Sequence, residues 1–374
     1  MPCDDRSMRV LVVAEPTAAL GARAVGESVA AGWQQSAPWD AVQVVHQWTA
    51  EPGFLTTLAD VVDGVTHVVT TTDPLGRATP ARIHLADGRG GRTAYLDAGD
   101  ALGGHLVAPS DRDPIAASSA GVGHLVAEAV RLGATRVVVG VGDSLATDGG
   151  VGLLAALAGR PESRHTEAGA DLVADARSRL ATTKLVLWTD DVTPLLGLSG
   201  TSATWAAERG ADPATGQQLE NRMGGWVDAV RRGSPEPVDL LTGKPVRSDR
   251  APGAGAGGGV GYGLLLMGAR YESAVAASGR LAGLPSAVAR ADLVVAASLR
   301  VDWAAMSGSV VAHAAHQAAE YAVPAIAISP VVQVGRRELM AMGLSGGYQL
   351  VSSDAQGWRD RAAAVAVTWS RRPT

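Results

Sequence analysis

Four loops in this 374-residue chain gather glycine, serine and acidic residues in patterns suited to handling anions, a cation or a hydroxyl. The first is Gly142-Asp143-Ser144-Leu145-Ala146-Thr147-Asp148-Gly149-Gly150, between a predicted strand at 135–141 and a helix that starts near Val151. Backbone N–H groups at a helix start attract anions, although a capped glycine turn has the same composition. The second, Thr189-Asp190-Asp191-Val192-Thr193-Pro194, ends a strand with two carboxylates. Such carboxylates can hold Mg²⁺ together with phosphate oxygens, accept a hydroxyl proton, or cap a turn. The third runs from Arg300-Val301-Asp302 to Ser307-Gly308-Ser309 and offers an Arg/Asp pair, either facing a ligand or simply solvated. The fourth, Gly253 through Gly263, contains G-x-G-x-x-G from Gly253 to Gly258, but Arg250-Ala251-Pro252 precedes it where a dinucleotide fold would need a strand. Ordering that much glycine is costly, so close approach of backbone to a ligand is expected there, with close helix packing as the alternative.

Other chemistries find no support. Gly243-Lys244 is followed by Pro245, which rules out a Walker A loop, and Ser144 lies between Gly142 and Ala146 rather than in G-x-S-x-G. His313, His316 and Glu320 share one face of a predicted helix, yet no fourth metal ligand accompanies them, so the face reads as solvated. The single cysteine, Cys3, cannot form an intrachain disulfide. The net charge of −5 comes without any block of like charges, which argues against a nucleic-acid or membrane partner. All but two of the 32 basic residues are arginine, so any phosphate chemistry must lean on Arg, backbone and metal. No signal peptide or membrane span is expected in the first residues, and the cytoplasm is the expected location.

The elements that must position these loops alternate as in an α/β protein. Residues 9–14, 42–45 and 66–72 read as strands, with helices over 18–33 and 55–62. Turn signals at Asp73-Pro74-Leu75-Gly76 and Asp87-Gly88-Arg89-Gly90-Gly91 then predict antiparallel hairpins. Helix and strand resume at 122–132, 135–141 and 184–188, followed by a polar helical region over 203–230 and an excursion over 233–252. The last third repeats the opening pattern: strands 291–297, 324–329 and 348–351, helices 305–321 and 336–342, and a terminal helix. Similar ends predict one parallel sheet with the middle inserted.

In this order the four loops resemble the bacterial glycerate kinase family that is unrelated to P-loop kinases. Asp73-Pro74-Leu75-Gly76 looks like its "GPLG" turn, and Gly142 through Gly150 like "GGSATNDGG", with Ser144, Asp148, Gly149 and Gly150 retained. Asp191 through Gly197 matches "DVTNPLLG" less its asparagine, and Pro252 through Gly263 is nearly identical to "PGAGAAGGLGFG". The chain departs from the family elsewhere. "PDSFKGS" has become Glu15 through Gly21 without lysine, and the stretch from Trp48 to Phe54 stands for "ADGGEGT". "GPQKGA" has become Ala206 through Ala211, and in "TGEGRLDxQSxxGK" Ser298 replaces the acid and Ser309 the lysine, while Arg300, Asp302 and Gly308 remain.

The resemblance implies two α/β domains: a discontinuous flavodoxin-like parallel-sheet domain over residues 1–73 and 284–374, and an inserted mixed, restriction-endonuclease-like domain over 74–283. It implies ATP and Mg²⁺, with transfer of the γ-phosphoryl to a hydroxyl of glycerate or a similar small hydroxy acid. In that scheme Gly149, Gly150, Gly255, Gly257, Gly258 and Gly259 cradle anionic groups and Asp191 holds Mg²⁺. Asp148 or Asp302 orients or deprotonates the hydroxyl, Arg300 balances phosphate charge, and Ser144 belongs to the catalytic set. The alternative is a silent member that binds or regulates without turnover. Because Ser298 and Ser309 remove one charge of each sign, low activity is expected, with a gain on introducing Ser298→Glu and Ser309→Lys together.

Overall fold

A computed structural model describes residues 7–161, 169–180, 182–205, 207–233, 238, 243 and 247–372. Cys3, Ala206, Lys244 and much of the 233–252 excursion lie outside the described residues. Among those described, eleven strands form two sheets. They are β1 (Arg9–Ala14), β2 (Ala41–His46), β3 (Val65–Thr72), β4 (Ala78–Gly88), β5 (Gly91–Asp97), β6 (Arg136–Gly140), β7 (Lys184–Trp188), β8 (Arg270–Glu272), β9 (Leu293–Ala297), β10 (Ala325–Ser329) and β11 (Gly346–Gln349). The chain divides into two compact units, Met1–Thr49 with Val275–Thr374, and Ala50–Ala274.

The discontinuous unit holds a sheet of order β2-β1-β9-β10-β11, parallel throughout, with Leu11 opposite Val294. This is flavodoxin-like strand order. Covered on both faces, β1 can be almost wholly apolar. Val10, Val12 and Ala14 pack with Val25 and Trp33 of helix Ala22–Ser36 and with Trp358 of helix Ala355–Trp369. Leu11 and Val13 pack on the other face with Val310, Val311 and Ala314 of helix Val310–Glu320. The helices that follow β1 and β9 thus leave on opposite faces, so their strand ends part at a topological switch point.

The continuous unit has the order β3-β4-β5-β6-β7-β8, antiparallel from β3 to β5 and parallel from β5 to β8. The predicted hairpins are there. Asp73 builds the first turn by accepting from the N–H groups of Leu75 and Arg77, both at 2.9 Å on Oδ1. The expected crossings at 73/74 and 283/284 are displaced, however, to 49/50 and 274/275. The reason is pairing: β3 runs against β4 from Val65↔Leu85 to Thr72↔Ala78 and so belongs to the inserted sheet. At the other crossing, Val275 joins the core of the discontinuous unit and Ser278 Oγ donates to Trp48 O at 2.7 Å.

Candidate functional site

In the inserted unit the parallel strands β5, β6 and β7 end at one edge, and acidic residues follow each. Asp148, in the loop after β6, is 6% exposed and its carboxylate is fully engaged. Oδ2 accepts from the Ser119 N–H and O–H, both at 2.8 Å, and from Gly152 N at 3.0 Å; Oδ1 accepts from Gly150 N at 2.9 Å. Four donors tie the start of helix Val151–Ala158 to Ser119, which precedes helix Ala120–Arg131. Asp148 is therefore a clamp in this structure rather than an open acceptor for a hydroxyl proton. Ser144 Oγ is likewise occupied within its own turn, accepting from Ala146 N at 3.1 Å.

The glycines face protein. Gly257, Gly258 and Gly259 have φ of 59°, 70° and 99°, a region that favours glycine, at the start of Ala256–Leu266. A Cβ on Gly258 would collide with the carbonyl oxygen of Ala146, and one on Gly259 with the Cα of Gly149. The amides of Gly149, Gly255, Gly258 and Gly259 are taken too. Gly149 N donates to Gly258 O (3.1 Å), Gly255 N to Thr193 O (2.8 Å), and Gly258 N and Gly259 N to Gly255 O (3.1 and 3.3 Å). The expected anion cradle at Gly149, Gly150 and Gly255 to Gly259 is thus a backbone-to-backbone seam joining the three loops of this unit. Close packing, the alternative open in the sequence, accounts for the absence of a side chain at Gly258 and Gly259.

What the seam holds in place is a charged cluster. Asp191 Oδ1 accepts from Thr193 N at 2.8 Å, within the loop pinned by Gly255. Asp190 Oδ1 accepts from Ser273 Oγ at 2.7 Å. The Glu51 carboxyl lies above its ordinary range because protein crowds around it and because Asp143, Asp190 and Asp191 add like charge, although the residue keeps exposed surface. Beside these acids the guanidinium of Arg209 is buried. It donates to Ser144 O (2.7 Å), Thr147 Oγ1 (3.2 Å) and Thr201 Oγ1 (3.1 Å). Burial lowers its pKa to about 10, against the attraction of Asp143, Asp191 and Glu208. At the end of β5, Asp97 accepts from Gly53 N (2.6 Å) and Gly99 N (2.8 Å), and burial together with Asp100 raises its pKa to about 7.

In the discontinuous unit the loop after β9 pairs Arg300 with Asp302, whose Oδ2 takes Nε at 2.6 Å and whose Oδ1 takes Ala305 N at 3.0 Å. Ser309 caps helix Val310–Glu320 by accepting from Ala312 N at 3.2 Å. Ser298, where the resemblance leads one to expect an acid, is not far from one. Its hydroxyl donates to Oε1 of Glu15, which arrives from the end of β1 and also accepts from Leu299 N at 2.6 Å. A carboxyl group is therefore still present beside position 298, delivered by the neighbouring strand, with burial pushing it above the usual carboxylate range against the bonds from Ser298 and Leu299. His313 and His316 do not converge on one ion: His313 Nδ1 meets Gln47 Nε2 at 2.7 Å, while His316 faces Glu320.

Asp148, the glycines and Asp191 thus share one unit, while Arg300 and Asp302 belong to the other. Sequence reasoning passed over Glu15, Glu51, Asp97, Asp143 and Arg209. The four acids carry a usable signal, since each lies within a few residues of a strand end or strand-exit loop. Nothing in the spacing marks Arg209 as buried.

Comparisons with known proteins agree with this architecture. The profile of the glycerate kinase family matches residues 13–365. An "uncharacterized protein" of Mycobacterium bovis is 34% identical over 341 residues, covering 90% of this chain and 83% of its own. A glycerate kinase of Halalkalibacterium halodurans is 28% identical over 174 residues, 46% of this chain and 43% of that protein. The crystal structure of a "putative glycerate kinase 2" from Salmonella typhimurium LT2 superposes with a TM-score of 0.76 at 23% identity, over 97% of this chain and 98% of that one, a likeness of fold. With a profile match across nearly its whole length, the chain belongs to the glycerate kinase family.

Proposed function

We propose that the protein transfers the γ-phosphoryl of ATP to a hydroxyl of glycerate or a similar small hydroxy acid. The observation that carries this reading, in a member of this family, is the charged cluster at the strand exits of the inserted unit: Glu51, Asp143, Asp190 and Asp191 beside the buried Arg209. Phosphoryl transfer asks mainly for positioning and charge neutralisation. A fixed guanidinium supplies positive charge for phosphate oxygens, and crowded carboxylates supply hard oxygen ligands for a divalent cation.

The residues fit Mg²⁺ by donor chemistry. Burial first and then like charge from Asp143, Asp190 and Asp191 lift the Glu51 carboxyl, and a divalent cation would relieve the like-charge part. Among the described residues no group of three or more His, Cys, Asp or Glu side chains could hold a metal ion by itself, so Mg²⁺ would need phosphate oxygens beside one or two carboxylates. Asp191 is the ligand expected, and bound Mg²⁺ would neutralise charge on the transferring phosphoryl group. Arg209 takes the place in this scheme that the glycine amides held in the sequence reading. Arg300 and Asp302 serve the acid substrate, with Asp148 as a positioning residue.

In the same reading the protein acts in the cytoplasm on small molecules, with neither nucleic acid nor membrane as partner. No helix among the described residues is long and apolar enough to cross a membrane. The test is ADP release with D-glycerate, Mg²⁺ and ATP, compared with Asp191→Ala and Asp302→Ala. Turnover no greater than in those variants rejects the kinase. A second reading, binding without turnover, draws on the closed glycine seam and the fully engaged Asp148. Calorimetry showing saturable ligand binding without ADP release would favour it.

A further inference from the structure

Glu15 differs from the other carboxylates at strand exits in being nearly buried yet half unused. It follows β1 directly and is 8% exposed. Its Oε1 holds two donors from the exit of β9, the Ser298 hydroxyl and the Leu299 N–H. Glu15 thus bridges the two strand ends at the switch point of the flavodoxin-like sheet, where open parallel sheets leave a crevice for small ligands. Among the described residues no donor is recorded on Oε2.

A carboxylate has acceptor sites on both oxygens, so the oxygen that no protein group occupies can accept from a ligand hydroxyl. The remaining acids near this crevice are committed: both oxygens of Asp302 are bonded, to Arg300 and to the Ala305 N–H. The same loop brings positive charge. Arg300 keeps a side chain 56% exposed, and Gly308 and Ser309 lead into the capped start of helix Val310–Glu320. Helix starts and guanidinium groups favour carboxylate and phosphate. A hydroxyl acceptor beside anion-favouring groups is the complement of a small hydroxy acid.

We propose that Glu15 is a substrate-contacting residue, its Oε2 accepting a hydrogen bond from a hydroxyl of a small hydroxy acid bound at the β1–β9 crevice. The ligand class rests on the kinase reading above. The role of Glu15 can be tested apart from turnover.

Glu15→Gln is the informative change, because the amide oxygen keeps the bonds to Ser298 and Leu299 and only Oε2 becomes an N–H donor. The expected result is an unchanged melting temperature, D-glycerate binding weaker by about tenfold to a hundredfold in calorimetry without nucleotide, and an unchanged KM for ATP. Glu15→Ala combined with Ser298→Glu, which returns a carboxylate from β9, should recover part of the affinity lost in Glu15→Ala alone. Native D-glycerate affinity in Glu15→Gln overturns the proposal, as does a folded Glu15→Ala/Ser298→Glu protein that recovers nothing. Turnover that is indifferent to Glu15 removes this role and leaves the kinase reading standing. Glu15-dependent binding without ADP release does the reverse. A native protein that neither binds nor turns over D-glycerate removes both.

Discussion

Asp148 and Glu15 are both buried carboxylates just beyond parallel strands, yet the two sheets use them in opposite ways. Asp148 meets four donors and knits two helix starts into a loop. Glu15 meets two donors on one oxygen and keeps the other. Position at a strand exit therefore does not decide what an acid does. The number of N–H and O–H groups that the surrounding backbone aims at it does, and the glycine seam of the inserted unit exists to bring such groups close.

The largest effect should come from the seam itself. Gly258→Ala drives a methyl into the Ala146 carbonyl at a φ of 70°, so the variant is expected to lose its fold, read as insoluble expression or absent near-ultraviolet circular dichroism. Next, Asp148→Ala leaves Ser119 and two glycine amides without an acceptor and should cost about 3 kcal/mol or more in urea unfolding. Glu15→Gln should leave that measurement within about 1 kcal/mol, because its two native bonds persist. Equal losses in the two variants would erase the contrast.

The paired change Ser298→Glu with Ser309→Lys, expected from sequence to raise activity, is now expected to lower it. It sets a second carboxylate against Glu15, removes the Ser298 donor and deletes a helix cap. A rise in kcat/KM for D-glycerate would break this account of the crevice.

A smaller effect follows from Asp97. Its folded pKa of about 7 exceeds the ordinary carboxyl value near 3.9, so the native state holds a proton that the unfolded chain gives up. This stabilising contribution is present below about pH 4 and is lost as pH rises through about 7. Melting temperatures from pH 5 to 8 should fall more steeply in the native protein than in Asp97→Asn. The smallest effect expected is that of Ser309→Ala, about 1 kcal/mol for the lost cap, seen as a small drop in melting temperature.

Much of the scaffold was legible because the strands are short β-branched runs and the hairpin turns carry Asp and Gly at fixed places. The glycine loop was legible as special, but its neighbours were not: spacing shows that Gly258 needs unusual room, not that Ala146 fills it. Glu15 escaped because its partner Ser298 is 283 residues away. Arg209 escaped because its burial depends on Thr147 and Thr201, which no local pattern links to it. The crossing expected near 73 shifted for a similar reason, since periodicity identifies β3 as a strand without naming β4 as its mate.

The pairing of β1 with β9 has a consequence in time. Val10 lies beside Leu293, so at typical synthesis rates β1 leaves the ribosome roughly 15–60 s before its central neighbour exists. Meanwhile Ala50–Ala274 has all six of its strands and can close its own core. The apolar run Arg9–Ala14 waits with one edge unpaired, and helix Ala22–Ser36 waits for the much later helix Ala355–Trp369, whose Arg359 backbone stands against Gly32. During that interval the nascent chain is a finished globule trailing an adhesive strand, the segment a chaperone would be called on to cover.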